Sequence, residues 1–121
     1  MTIIIKTSVT KCFEFEMGHI LSESYDEDCQ QPHGHSYKLE VTFSGPVQEN
    51  GVIVDFKKMN QIITPIVKRF DHTFLSPQTF GRNPTAENMA LNIFHSIEEI
   101  TTLMIFSFLI HLLLKLCLCY L

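Results

Sequence analysis

Seven residues, Cys29-Gln-Gln-Pro-His33-Gly-His35, put one thiol and two imidazoles in a single short stretch. A thiol is a nucleophile or a base once ionised. Imidazole changes charge near neutral pH, so it can shuttle protons or, when neutral, ligate a metal. Side chains one residue apart on a strand point to the same face, so His33 and His35 can grip one ion. A third imidazole, His19, lies on the apolar side of an earlier alternating segment. If the two segments pair, all three histidines meet. Three neutral imidazoles with a fourth position left open are the donor set of a catalytic zinc site. Zinc suits nitrogen ligands and acts as a Lewis acid on a bound oxygen. A single histidine on an apolar face is more often a satisfied core residue. Matching parity in all three favours metal.

Other residues carry chemistry with less specificity. Cys29 follows Glu23, Asp26, Glu27 and Asp28. Negative neighbours oppose a thiolate, whereas a metal or an imidazolium favours one. Asp71-His72 can act as a carboxylate-oriented proton shuttle or as a simple helix terminus, where His suits the dipole. Glu87 falls in a first helical turn, where a carboxylate also suits the dipole; the functional alternative is a ligand contact there.

The elements that must position these groups follow from periodicity. Lys11 to His19 alternates, with Phe13, Phe15, Met17 and His19 on one face, and reads as a half-buried strand. Ser22 to Pro32 is an acidic loop. A second strand runs from about His35 to Ser44, and its parity carries His35, and His33 if extended, onto the apolar face. Val52 to Phe56 is a third short strand. Met59, Ile62, Ile63, Ile66, Val67 and Phe70 fit one helical face, with Pro65 expected to kink or divide the helix. Thr85 is the expected N-cap of a second helix, whose apolar face is Met89, Ala90, Ile93, Phe94 and Ile97. The order predicts an α+β domain, an antiparallel sheet with two helices packed on one face.

The bulk properties exclude other classes. The chain has 121 residues, enough for one modest core, and 45% hydrophobic against 18% charged content marks a folding chain. A net charge of −4 gives no basic field, so nucleic acid is not an expected partner. The four cysteines form no secreted disulfide framework, and no cleavable leader is visible, which points to a reducing, cytoplasmic setting.

Five segments in order are similar to the 6-pyruvoyl-tetrahydropterin and 6-carboxy-tetrahydropterin synthase family. They are Phe15-Glu16-Met17-Gly18-His19, Cys29-x-x-x-His33-Gly34-His35-Ser36-Tyr37, Val54-Asp55-Phe56, Asp71-His72-x-x-Leu75 and Pro84-Thr85-Ala86-Glu87-Asn88. The resemblance covers roughly residues 10 to 100. It implies a tunnelling fold (T-fold) and a homo-oligomer with active sites between subunits. It implies Zn2+ on His19, His33 and His35, Cys29 as the thiol base, and Asp71 with His72 as a second proton-transfer pair. Thr85, Ala86 and Glu87 are then the expected substrate contacts. The spacing Cys-x-x-x-His-Gly-His and the Val-Asp-Phe segment resemble the carboxy branch, which feeds queuosine and other 7-deazapurine synthesis. The implied substrate is 7,8-dihydroneopterin triphosphate, and the implied products are 6-carboxy-tetrahydropterin, acetaldehyde and triphosphate. The alternatives are the pyruvoyl-forming lyase and a catalytically impaired zinc-binding derivative.

Two departures stand out. Ile20 replaces the arginine that usually follows the first zinc histidine. After Ile100 nothing matches: the family closes with further strands and a Glu-Thr pair that anchors the pterin ring, whereas Thr101 to Leu121 contains no acid. Residues 1–100 are therefore taken as the synthase-like domain and 101–121 as an atypical apolar tail. Three readings of the tail are open: a membrane anchor, a replaced C-terminus, or a last strand. Its length is near the roughly 20 residues of a bilayer span, but Lys115 near the middle is costly there. The replaced terminus is the favoured reading, and it leaves the sheet short of an edge strand.

Overall fold

The computed structural model describes residues 5–22, 26–104 and 111–119. Residues 1–4, 23–25 (Glu23 among them), 105–110 and 120–121 lie outside the described residues.

Strands β1 (Thr7–His19) and β2 (His33–Gly45) pair antiparallel over their whole length, from Thr7 opposite Gly45 to His19 opposite His33. Alternation is the cause. Phe15, Met17, Tyr37, Leu39, Val41 and Phe43 are all buried on one face, and one register satisfies both strands. Both strands are longer than the alternation alone indicates. Between them Glu27–Gln30 forms a single 3-10 turn.

Helix α1 (Phe56–Lys68) follows, then β3 (Thr73–Leu75), a short α2 (Pro77–Phe80), α3 (Ala86–Met104) and β4 (His111–Cys119). The sheet order is β3-β1-β2-β4, with β3 parallel to β1 and the other pairs antiparallel. Met59, Ile62, Ile63, Ile66 and Val67 of α1, with Met89, Ile93 and Ile97 of α3, join the sheet residues in one core. The expected α+β arrangement, a mostly antiparallel sheet with helices on one face, is the arrangement found.

Three local expectations are corrected. Val52 to Phe56 forms no strand: Asp55 accepts the Lys57 N–H at 2.8 Å as the N-cap of α1, and Phe56 is already helical. The capping carboxylate outweighs the short β-branched run, whose Ile53 and Val54 are buried from a turn instead. Pro65 does not divide α1. Both it and Gln61, whose carbonyl loses its partner, lie on the exposed side.

The third correction concerns the tail. Residues 111–119 are an edge strand, with Leu112, Leu114, Leu116 and Leu118 packed against the core opposite Phe43, Val41, Leu39 and Tyr37. The outer side of β2 is therefore covered. No helix among the described residues is long and apolar enough to cross a membrane.

Candidate metal centre

His19 ends β1 and His33 begins β2, directly opposite each other, while His35 pairs with Met17. The three rings stand at the end of the buried sheet face, with centroids 4.4 to 5.1 Å apart. One ring nitrogen from each lies within 4.8 Å of the others. Gly18 makes room for this end of the sheet, since a Cβ there would come within 2.9 Å of the Phe74 ring and 3.3 Å of the His33 carbonyl.

The hydrogen bonds fix the tautomers. His19 Nδ1 lies 2.9 Å from the Pro84 carbonyl, and His33 Nδ1 lies 2.7 Å from the Gln31 carbonyl. A carbonyl only accepts, so both Nδ1 atoms carry hydrogen. Both Nε2 atoms are then bare in the neutral rings, yet they face each other at 2.8 Å. Two lone pairs at that distance repel unless a cation lies between them. Burial, with the charges of His33 and His35, holds His19 below the usual histidine range despite the opposing Pro84 bond. Burial, then His33, also lowers His35. A metal ion fits the three converging ring nitrogens. An Nδ1–H on a backbone carbonyl is the usual way a protein aims a ligating Nε2. Tyr37, stacked on Phe15 at 4.9 Å, places its hydroxyl 3.5 Å from His19 Nδ1. Burial pushes this phenol up to about 12, so it stays protonated.

Asp71 and His72 sit beside β1. Asp71 Oδ1 accepts the Glu16 N–H at 3.0 Å, and the His72 N–H donates to the Glu16 carbonyl at 2.7 Å. His72 adopts a left-handed backbone (φ 59°), uncommon outside glycine. Its Nδ1 lies 2.9 Å from Asp71 Oδ1, and its ring is largely exposed. His72 and His35 line the same cleft of about 320 Å³, with Glu16, Gly18 and Gly34.

Cys29 is a half-buried free thiol in the 3-10 turn, and its carbonyl accepts the Leu21 N–H at 3.0 Å. The thiol loop is therefore stitched to the chain leaving His19. Thr85 is buried and caps α3 through the Asn88 N–H, at 3.2 Å from its Oγ1, as its sequence position suggests. Ala86 is half-buried and Glu87 exposed. Glu87 lines a separate apolar groove with Ala90, Leu91, Phe94 and Leu114. Nothing in the sequence signals that the Pro84 carbonyl meets His19, or that Asn83 and Asn88 brace the loop behind it. A backbone carbonyl leaves no side-chain signature to find.

The fold and the histidine cluster together define a T-fold protein with a candidate metal centre. Residues 8–106 match the family model for 6-pyruvoyl tetrahydropterin synthase, and the chain belongs to that family. It is 44% identical over 71 residues to an Archaeoglobus fulgidus protein provisionally named 6-carboxy-5,6,7,8-tetrahydropterin synthase, covering 59% of this chain and 60% of that one. It is 36% identical over 79 residues to the Haemophilus influenzae 6-carboxy-5,6,7,8-tetrahydropterin synthase, covering 61% and 55%. The matches thus span less than two thirds of these relatives' length. The fold is that of the Caenorhabditis elegans 6-pyruvoyl tetrahydropterin synthase, with a TM-score of 0.73 at 20% identity over 99% of this chain and 100% of that one.

Proposed function

We propose that the protein is a zinc-dependent 6-carboxy-5,6,7,8-tetrahydropterin synthase, acting on 7,8-dihydroneopterin triphosphate in queuosine (7-deazapurine) biosynthesis in the cytoplasm. The observation that carries this reading is the cluster of His19, His33 and His35, with two Nε2 atoms bared by carbonyl-bound Nδ1–H groups. Names of the relatives and the Cys29-x-x-x-His33-Gly-His35 spacing support the carboxy branch.

His19, His33 and His35 would hold the ion. Zinc supplies Lewis acidity toward the substrate's side-chain oxygens when bound. The protein's own groups move the protons. Cys29, as thiolate, takes a proton from the substrate side chain. The Asp71 carboxylate accepts the His72 Nδ1–H, leaving Nε2 to take or return a second proton in the cleft shared with His35. Thr85, Ala86 and Glu87 form the substrate-facing segment, with Glu87 the acid matched to the family motif. The assembly is a homo-oligomer. Among the described residues β3 pairs only with Met17 to His19, so the outer edge of β1 from Thr7 to Phe15 has no strand beside it, nor has the outer edge of β4. Open edges of this kind invite another chain.

The pyruvoyl-forming lyase is the second reading, favoured by the family model's own description. The lack of any acid in Thr101 to Leu121 favours a third, an impaired zinc-binding derivative. The test is purified protein with dihydroneopterin triphosphate, with zinc quantified in the same sample. One zinc per chain and 6-carboxytetrahydropterin with acetaldehyde are expected. A pyruvoyl product selects the lyase, zinc without turnover selects the impaired derivative, and absence of zinc overturns the metal reading. Cys29→Ala should lower turnover by about 10²–10⁴-fold while zinc is retained.

A further inference from the structure

We propose that Asn83 and Asn88 are positioning residues for His19. Through the Pro84 carbonyl they fix the tautomer and aim of its ring, and so set the metal affinity of the centre. The inference rests on the reading of the histidine cluster as a metal centre.

The geometry is a clasp closed from both sides. Pro84 is fully buried, and its carbonyl meets His19 Nδ1 at 2.9 Å. A carbonyl at this point has no freedom of its own: the proline ring fixes φ, and the peptide units on either side are tied down. On one side the Asn83 carbonyl accepts the Thr85 N–H at 2.8 Å and the Asn88 Nδ2–H at 2.9 Å. Asn83 Oδ1 accepts the Ser22 N–H at 2.9 Å, three residues after His19 itself. On the other side Asn88 N–H meets Thr85 Oγ1 at 3.2 Å. Asn88 therefore holds both ends of the Asn83–Thr85 loop, while Asn83 ties that loop to the chain leaving β1. With the carbonyl so placed, His19 must keep hydrogen on Nδ1 and present Nε2. If the carbonyl drifts, the ring gains both the other tautomer and a range of angles.

The two asparagines act through opposite chemistry, which makes the proposal testable. The side chain of Asn83 works as an acceptor, so Asn83→Asp keeps its bond to Ser22. The side chain of Asn88 works as a donor, so Asn88→Asp sets a carboxylate against the Asn83 carbonyl. Aspartate in the first turn of α3 suits the helix dipole, so a role in helix stability alone predicts no loss from Asn88→Asp. Lost orientation of a ligating histidine typically weakens metal binding about 10–100-fold.

The experiment measures zinc affinity of the full chain by competition with a chromophoric chelator, thermal unfolding of the metal-free protein, and nitrogen-15 shifts of the His19 ring. Expected are an Nδ1–H tautomer in the metal-free parent, zinc affinity within about twofold of parent for Asn83→Asp, and a loss of about tenfold or more for Asn88→Asp at unchanged melting temperature. Equal zinc affinity of Asn88→Asp and parent overturns the proposal. So does an Nε2–H tautomer of His19 in the parent, which needs no variant to fold. If the parent binds no zinc, the metal reading of the centre fails, and the tautomer measurement alone decides the clasp.

Discussion

His72 combines a strained backbone with an exposed ring, and its two parts can be separated. A left-handed conformation costs an ordinary L-residue roughly 1–2 kcal/mol, a cost glycine does not carry. Glycine adds unfolded-state entropy in return. His72→Gly should therefore stay within about 1 kcal/mol of the parent in chemical denaturation while turnover of the proposed substrate collapses. A stability loss together with full turnover would reverse the assignment. Asp71 makes a second, pH-dependent prediction. The Glu16 N–H bond, and after it the His72 ring, hold its carboxyl below the usual carboxylate range. A depressed carboxylate stabilises the fold above its unfolded value of about 3.9, and that contribution is lost as pH falls through the folded value. The gap in melting temperature between parent and Asp71→Asn should be full near neutrality and close in strong acid. A gap independent of pH would mean the charge is not what holds Glu16. At this scale the histidine cluster was legible, since His19, His33 and His35 share a strand face by parity alone. The Pro84 carbonyl was not, because it lies 65 residues from His19 in sequence.

Strand β4 shows how one element can hide in a sequence. Its inner positions, Leu112, Leu114, Leu116 and Leu118, obey a period of two. Its outer positions include Leu113 and Cys117, so apolar residues on both faces erase the alternation. Burial still differs sharply, for Leu113 is 67% exposed and Leu116 packs on the core opposite Leu39. Leu116→Ala should cost about 2 kcal/mol in denaturant unfolding, and Leu113→Ala less than about 0.5 kcal/mol. Equal costs would mean that the strand does not sit in this register. Val52 to Phe56 erred the other way: β-branched residues suggested a strand, and a single carboxylate at Asp55 made a helix start instead.

At the scale of the molecule the sheet has two open edges, one on β1 and one on β4, among the described residues. If copies pair through them, the folded state is linked to association, and the melting temperature rises with protein concentration. Calorimetry across a hundredfold range of concentration, with sedimentation alongside, tests this. A monomer at every concentration with a constant melting temperature would remove the oligomer from the proposed function. Strand parity, the helical faces and the placement of three histidines on one strand face were written in the sequence, because alternation and amphipathicity are local and each side chain declares its own chemistry. Only the tertiary structure decided that an apolar tail completes the sheet and that a buried carbonyl from the start of α3 sets His19. Both depend on contacts between distant segments, one made by leucines that would pack in many settings and the other by a backbone group common to every residue.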